Sequence, residues 1–157
     1  MASRALNADD PAAEAGAEVG VGALDGIVGF HIRLAHGAVY RHFTETFVDL
    51  GLTQKQVSLL WLVGDEPGVA QIELGQRLRM DRATTMTIVN RLEQRGYLAR
   101  KRSSSDGRKQ ALYLTAEGEA ALGEAKSCIA SHEAWLQARF SSDEVKKLVE
   151  LLTRIHE

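Results

Sequence analysis

The fold of this chain is decided by residues 81–115, which read DRATTMTIVNRLEQRGYLARKRSSSDGRKQALYLT. Asp81 is a good N-cap for a helix, and Gly96 readily takes the left-handed conformation that ends one. After Gly96 the pattern changes to that of two strands, residues 97–102 and 109–114, joined by small turn-forming residues. The stretch therefore predicts a capped helix followed directly by a β-hairpin.

Two shorter helices are predicted just before this stretch. Thr53 and Gln56 have the spacing of a capping box, so a helix should begin there and cover residues 54–63. After a turn, residues 71–78 form a second short helix, whose N-cap position holds Ala70 rather than the usual hydroxyl residue. Helix, turn, helix, capped helix and hairpin together make a winged helix-turn-helix.

Long helices are predicted on both sides of this domain. A helical pattern runs over residues 23–50, apolar on two faces, and Gly51 ends it. Thr115 caps a long helix, and Ser141 or Ser142 caps a final one. That final helix carries one apolar stripe, formed by Val145, Leu148, Leu151, Leu152 and Ile155. The predicted fold class is thus mainly α with one small β-hairpin.

Length and composition limit the remaining possibilities. A chain of 157 residues, 45% hydrophobic, fits one domain with helical extensions. Its longest mostly apolar run, residues 57–63, is far shorter than the roughly 20 residues that a membrane span needs, and no secretory signal is recognisable. A single cysteine, Cys128, excludes an internal disulfide framework. We expect a soluble, cytoplasmic protein with no membrane partner, preceded by a mobile acidic tail over residues 1–22.

Positive charge is concentrated in one part of the chain. The whole chain has a formal net charge of −2, but over residues 77–109 ten basic residues face three acidic ones, a net +7. A basic segment of this kind inside an acidic protein is typical of a nucleic-acid contact. Arginines on a helix often form only a solvated face, so the inference depends on the succession of a basic helix and a basic hairpin.

The helix that follows Asp81 is the candidate for entering the major groove of DNA. Four apolar residues recur on it at helical spacing and are predicted to face the core: Ala83, Met86, Val89 and Leu92. The remaining positions form the predicted outward face: Arg82, Thr84, Thr85, Thr87, Ile88 and Arg91.

Arginines and short hydroxyl side chains can hydrogen-bond to bases and phosphates. The candidate DNA contacts on the helix are therefore Arg82, Thr84, Thr85, Thr87 and Arg91. In the hairpin the candidates are Arg102, Ser104, Arg108 and Lys109. The small residues of the hairpin tip would let it lie along a phosphate backbone or enter a narrow minor groove.

Four short motifs in this region carry a resemblance to a known family. They are Asp-Arg-Ala-Thr at residues 81–84, Asn-Arg-Leu-Glu at 90–93, Arg-Gly-Tyr at 95–97, and Asp-Gly-Arg at 106–108 followed by Leu114-Thr115. With these motifs, residues 51–122 resemble the core of the MarR family of winged helix-turn-helix transcriptional regulators. Two positions depart from the family pattern: Thr87 stands where relatives often have Arg, and Ala70 where a hydroxyl cap is common.

The resemblance implies a homodimeric repressor that binds a pseudo-palindromic operator in double-stranded DNA, with no enzyme activity and no cofactor. Residues 23–50 and 116–157 would form the dimer, and residues 51–115 would form the DNA-binding domain. Arg108 would enter the minor groove, oriented by Asp106. The resemblance also implies release of DNA by a small aromatic anion bound between the dimerisation helices and the winged domain.

Three residues on the first helix are candidates for binding such an effector. Arg33, His36 and Tyr40 are spaced so that they share one face, and Trp61 on the next helix could line the same site. A guanidinium, an imidazole and a phenol suit a phenolic carboxylate or its CoA thioester. The alternative is that His36 and Tyr40 are packing residues and that Arg33 is solvated.

Other sensing chemistries and another class of function stay open. A metal sensor would need ligands from further elements, because His31 and His42 are about 16 Å apart along one helix, and no metal site is predicted. An oxidant sensor would use Cys128, for which a buried inert thiol is the simpler interpretation. A helical protein-interaction module is the alternative outside DNA binding, although it leaves the basic hairpin unexplained.

Overall fold

The computed structural model of the chain describes residues 20–102 and 110–157, and the chain divides into two compact units after His36. A 3-10 helix, Gly22–Gly26, comes first. The helices are α1 (Val28–Thr46), α2 (Gln54–Asp65), α3 (Gln71–Arg77), α4 (Arg82–Gln94), α5 (Ala116–Gln137) and α6 (Ser142–His156). The strands are β1 (Val69–Ala70), β2 (Leu98–Arg102) and β3 (Gln110–Leu114). This mainly helical fold with a small sheet confirms the predicted fold class.

The sheet has one strand more than the predicted hairpin. β1 pairs antiparallel with β3, so the strand order is β1-β3-β2 and β3 is central. Val69 pairs with Leu112, and Ala70 pairs with Ala111. Ala111 and Leu112 point to opposite faces of β3 and are both buried, so both faces of the central strand are covered at this point. A two-residue strand is too short to show a period of its own in the sequence.

The caps predicted for the helices are present. Thr53 and Gln56 form the reciprocal capping box that begins α2, with the Thr53 amide donating to Gln56 Oε1 over 2.9 Å. Asp81 caps α4 and Thr115 caps α5, and Gly96 has the left-handed φ of +75° that lets the chain leave α4. These caps fix where the helices of the winged domain begin and end.

The first helix is shorter than its predicted range of residues 23–50. The Gly-containing segment before Val28 forms the 3-10 helix, and α1 itself ends at Thr46. Residues 47–50 make a further turn that closes at Gly51, whose φ is +56°. The prediction overran at both ends because helical spacing of apolar residues continues through turns that are not α-helical.

The rotation of α4 about its axis differs from the prediction. Thr85 and Ile88, expected to face outward, are buried with exposed fractions of 2% and 8%. Ala83 and Met86, expected in the core, are exposed. The prediction was wrong because it counted every apolar residue as inward, whereas Ile88, Val89 and Leu92 set the buried stripe. On α3, Ile72 is likewise exposed, while Leu74 is buried.

The hydrophobic core is formed by α2, α3, α4, α5 and the sheet, together with Phe43 of α1 and Phe47. Its fully buried members include Leu59, Leu60, Leu74, Leu92 and Leu112. The last helix, α6, contains no buried residue, and its Leu151, Leu152 and Ile155 are exposed. Among the described residues, no helix combines the length and the apolar character needed to cross a bilayer.

Candidate nucleic-acid interface

The N-terminus of α4 is held by Asp81. One oxygen of its carboxylate accepts a hydrogen bond from the Thr84 amide over 2.8 Å, and the other accepts from the Thr84 hydroxyl over 2.6 Å. These hydrogen bonds lower the pKa of the Asp81 carboxyl below its usual range, so the cap is charged at neutral pH. The Thr84 hydroxyl therefore has its proton committed to the cap and is left with acceptor capacity only.

Thr85 has a structural role rather than the DNA contact predicted for it. Its hydroxyl donates to the Asp81 carbonyl over 2.9 Å, and the side chain is buried against α3. A Cβ placed on Gly75 would come within 2.7 Å of Thr85 Oγ1, so α3 and α4 approach each other closely here. A buried hydroxyl can be tolerated because it has a backbone acceptor within its own helix. Thr85 was expected to face outward, but it faces the core.

The exposed face of α4 contains the other candidate contacts. Arg82, Thr87 and Arg91 are exposed, and Thr84 is half-buried. A cleft of about 500 Å³ lies beside this face. It is bordered by Tyr40, the beginning of α2 with Lys55, and the α4 residues Thr84, Thr87 and Arg91. Thr84, Thr87 and Arg91 therefore border one cleft, whereas Arg82 borders a cavity between α3, α4 and the hairpin of β2 and β3, and Thr85 is buried.

The wing, which we define as β2, β3 and the chain between them, joins α4 through Arg100. Arg100 Nη1 lies 3.0 Å from Glu93 Oε2, and its Nη2 donates to Asn90 Oδ1. Its guanidinium thus connects the wing to α4. Lys101 and Arg102 are exposed, and Lys101 Nζ lies 4.9 Å from the centre of the Tyr113 ring. The predicted contacts Ser104, Asp106, Arg108 and Lys109 lie outside the described residues.

Several arginines of the basic segment have partners within the domain. Arg77 makes a two-pronged ion pair with Glu66, with N–O distances of 2.6 and 2.7 Å, which lowers the pKa of the Glu66 carboxyl. Arg95 donates to the carbonyls of Leu50 and Gly51, each over 2.8 Å. The sequence count of basic residues therefore overstates the charge that α4 and the wing present to DNA.

The four predicted effector-binding residues have different surroundings. The Arg33 guanidinium lies 5.2 Å from the centre of the Phe30 ring, and His36 is exposed on α1. Tyr40 is exposed and borders the cleft beside α4. Trp61 is half-buried on α2, with Lys126 Nζ of α5 4.8 Å from its ring centre.

A pair of histidines was missed by the sequence analysis. His42 on α1 and His132 on α5 share a hydrogen bond of 2.8 Å between their Nδ1 atoms, and His42 stacks on Trp135 at 3.9 Å. His132 is buried, and this burial, together with the neighbouring His42, lowers its pKa. No spacing rule could indicate a contact between residues so far apart in the chain.

Among residues 20–102 and 110–157, no three side chains of His, Cys, Asp or Glu are gathered as metal ligands would be. Cys128 is half-buried and packs against the hydrophobic core. The candidate site among the described side chains therefore stays with the basic and hydroxyl groups of α4 and the wing.

Comparison with known proteins identifies the family of the chain. The MarR family model matches residues 50–109. A Thauera aromatica protein, assigned as the transcriptional regulatory protein for the hcr operon, is 31% identical over 141 residues, which cover 89% of this chain and 85% of that protein. The chain belongs to the MarR family.

Solved structures agree with this membership. The repressor CouR bound to a 23-mer DNA duplex is 32% identical, with a TM-score of 0.83 over 90% of this chain and all of CouR. PcaV of Streptomyces coelicolor, in complex with its natural ligand, is 29% identical, with a TM-score of 0.76 over 85% of this chain and 94% of PcaV. These relatives are regulators rather than enzymes, and this MarR-family protein is a DNA-binding transcriptional regulator with a winged-helix fold.

Proposed function

We propose that this MarR-family regulator is a homodimeric repressor that leaves its operator when a small aromatic anion binds. The observation that supports DNA binding is the exposed surface of α4. Arg82, Thr87 and Arg91 are exposed on this helix, and Asp81 caps its N-terminus. A helix of this kind fits the major groove and presents its first turns to base edges.

The wing supplies the second half of the proposed interface. Lys101 and Arg102 are exposed on β2, next to the predicted contacts Ser104, Asp106, Arg108 and Lys109. Arg108 would enter the minor groove with Asp106 orienting its guanidinium. Because Arg100 ties the wing to α4, the two elements would approach DNA in a fixed relation to each other.

The exposed apolar face of α6 supports the proposed homodimer. Its leucines and Ile155 would cost free energy if they stayed in water, and a second copy of the same helix is an apolar partner of matching pattern. We assign dimerisation to residues 23–50 and 116–157 and DNA binding to residues 51–115. Two copies of α4 related by a twofold axis would read a pseudo-palindromic operator.

The proposed effector is an aromatic acid or its CoA thioester. CouR has also been solved with p-coumaroyl-CoA, and that structure is 30% identical to this chain, with a TM-score of 0.79 over 89% of this chain and 99% of CouR. Arg33, His36, Tyr40 and Trp61 stay candidates because a guanidinium, an imidazole, a phenol and an indole suit an anionic aromatic molecule. Such a regulator would act in the cytoplasm, where bacterial DNA lies.

The test is fluorescence anisotropy of the full-length protein on its own upstream DNA, titrated with aromatic acids and their CoA thioesters. Release by one of these compounds at micromolar concentration, weakened by Arg33→Ala, is the expected result. Tight binding that none of the compounds disturbs would leave the DNA assignment in place and contradict the effector class.

A further inference from the structure

An apolar patch lies beside the surface assigned to DNA. It consists of Ile72 on α3 and Met86 on α4, whose exposed fractions are 62% and 49%. Ala83, one turn before Met86, is exposed as well. Neighbouring exposed apolar side chains within a charged surface are typical of a binding site, so this patch is a candidate contact for a partner with apolar groups of its own.

The chemistry around the patch indicates which partner fits. Ile72 and Met86 both border a cavity of about 590 Å³ between α3, α4 and the wing. Its rim carries the amides of Gln71, Gln76 and Asn90 and the guanidinium of Arg82. None of the described residues that line the cavity is acidic. Amides and a cation surrounding an apolar centre suit a polyanion whose surface also displays methyl groups.

We propose that Ile72 and Met86 read thymine methyl groups in the major groove and so determine part of the operator preference. This inference rests on the proposed DNA interface and is continuous with it, because Met86 is flanked on α4 by Arg82 and Thr87. The thymine C5-methyl is the apolar group of the major groove, and A·T pairs beside it offer edges that amides can hydrogen-bond. The preferred half-site therefore contains thymine opposite the patch.

The size of the effect follows from the apolar area buried. Each methyl group that leaves water on binding should strengthen the complex about fourfold. A twofold-symmetric dimer presents the patch twice, so loss of one methyl contact from each half-site should weaken binding by about fifteenfold.

The experiment begins with selection of a preferred duplex by the full-length protein from a pool of random sequences of about 24 base pairs, long enough for two half-sites. The same duplex is then made with uracil in place of every thymine, which removes the methyl groups and keeps base pairing. Anisotropy gives the dissociation constants of both duplexes for the wild-type protein and for an Ile72→Ala, Met86→Ala double variant. Lys101→Ala is the control, because it removes a wing charge and leaves the patch intact.

The wild-type protein should prefer the thymine duplex by about fifteenfold, and the double variant by less than about twofold. Lys101→Ala should weaken binding to both duplexes and keep the wild-type ratio. Both patch residues are exposed, so thermal unfolding of the double variant should match that of the wild type.

Two results would overturn the inference: a wild-type ratio near one, or a double variant that keeps the full wild-type ratio. Failure of the protein to select any duplex would instead contradict the proposed function itself.

Discussion

Thr85 and Gly75 determine how closely α3 and α4 pack. The Thr85 hydroxyl donates within its own helix, and Gly75 lacks the Cβ that would collide with it. This contact lies directly behind the exposed face of α4, so two small residues orient the whole recognition surface. It also explains why a polar residue can lie in the buried stripe of that helix.

Thr85→Val should therefore act on folding rather than on DNA. The replacement keeps the shape of the side chain but loses its hydrogen bond, which should cost about 1 kcal/mol of the free energy of unfolding. Chemical denaturation measures that loss, and DNA affinity at a temperature where the variant is folded should stay near that of the wild type.

Thr87→Val is the matched control, because Thr87 is exposed on the same helix. It should leave stability unchanged and weaken DNA binding. A reversed pattern, with Thr85→Val weakening DNA binding at full stability, would contradict the assigned orientation of α4.

At the scale of elements, Arg100 and Arg102 of β2 have different roles. Arg100 faces Glu93 and Asn90 of α4, whereas Arg102 is exposed at the end of the strand. Neighbouring basic residues in one strand thus serve different purposes, one within the protein and one proposed for DNA. Residues two apart share one face of a strand, so the distinction comes from position along β2: Arg100 lies beside α4, and Arg102 lies at the end of the strand.

Arg102→Ala should lower the number of counterions released by about one per half-site and about two per dimer, seen as a smaller slope of log affinity against log salt. Arg100→Ala should leave that slope nearly unchanged and lower the thermal stability, because it disconnects the wing from α4. Anisotropy at several salt concentrations and thermal unfolding separate the two. Equal changes in slope for both variants would contradict the internal role of Arg100.

The histidine pair connects α1 and α5 and should make stability depend on pH. The pKa of His132 is lowered by burial and by nearby His42, while Glu133 acts in the opposite direction. The folded protein therefore favours neutral His132, and this preference adds to the free energy of unfolding in full above the ordinary histidine pKa of about 6.5. The added stability is lost as the pH falls from about 6.5 through the lower pKa of the folded state, because the unfolded chain takes up the proton first.

Thermal unfolding from about pH 8 to about pH 5 measures this effect, since the range spans the ordinary histidine pKa. His132→Phe should flatten the fall in melting temperature on the acid side, because an uncharged ring replaces the imidazole. His31→Asn, which changes an exposed histidine on α1, should keep the fall. A His132→Phe variant with an unchanged pH profile would show that other groups cause it.

Sequence patterns predicted the elements of the winged domain well and their mutual contacts poorly. Caps such as Asp81 and Thr115 act within a few residues, so their effect can be derived from the sequence. The rotation of α4 and the pairing of β1 with β3 depend on residues distant in the chain. The same holds for His42 with His132, since tertiary packing alone brings them together. The predicted wing contacts at residues 104–109 stay predictions.

At the scale of the whole molecule, the proposed homodimer depends on α6. Its apolar face is exposed along most of its length within one chain, and an operator of two half-sites requires two winged domains. Dimerisation and DNA affinity should therefore fail together when this face is altered, although α6 is proposed to make no contact with DNA.

A Leu152→Glu, Ile155→Glu double variant should shift the protein to monomers, because each dimer would then bury charged groups in an apolar contact. Sedimentation measures the mass, and anisotropy measures the accompanying loss of DNA affinity. Glu150→Ala, a neighbouring change of an exposed residue that pairs with Lys147, should leave the dimer intact. A double variant that stays dimeric would assign the interface to other elements.

The central claim, that α4 and the wing bind a specific operator, is tested most directly by salt-dependent anisotropy on two duplexes. The upstream DNA and a scrambled duplex of equal composition are compared from about 50 to about 200 mM salt. With six to ten phosphate contacts per dimer, affinity for the upstream DNA should fall by about 10³ to 10⁵ across that range. It should exceed affinity for the scrambled duplex throughout. Equal affinity for both duplexes, or affinity that does not change with salt, would contradict the account.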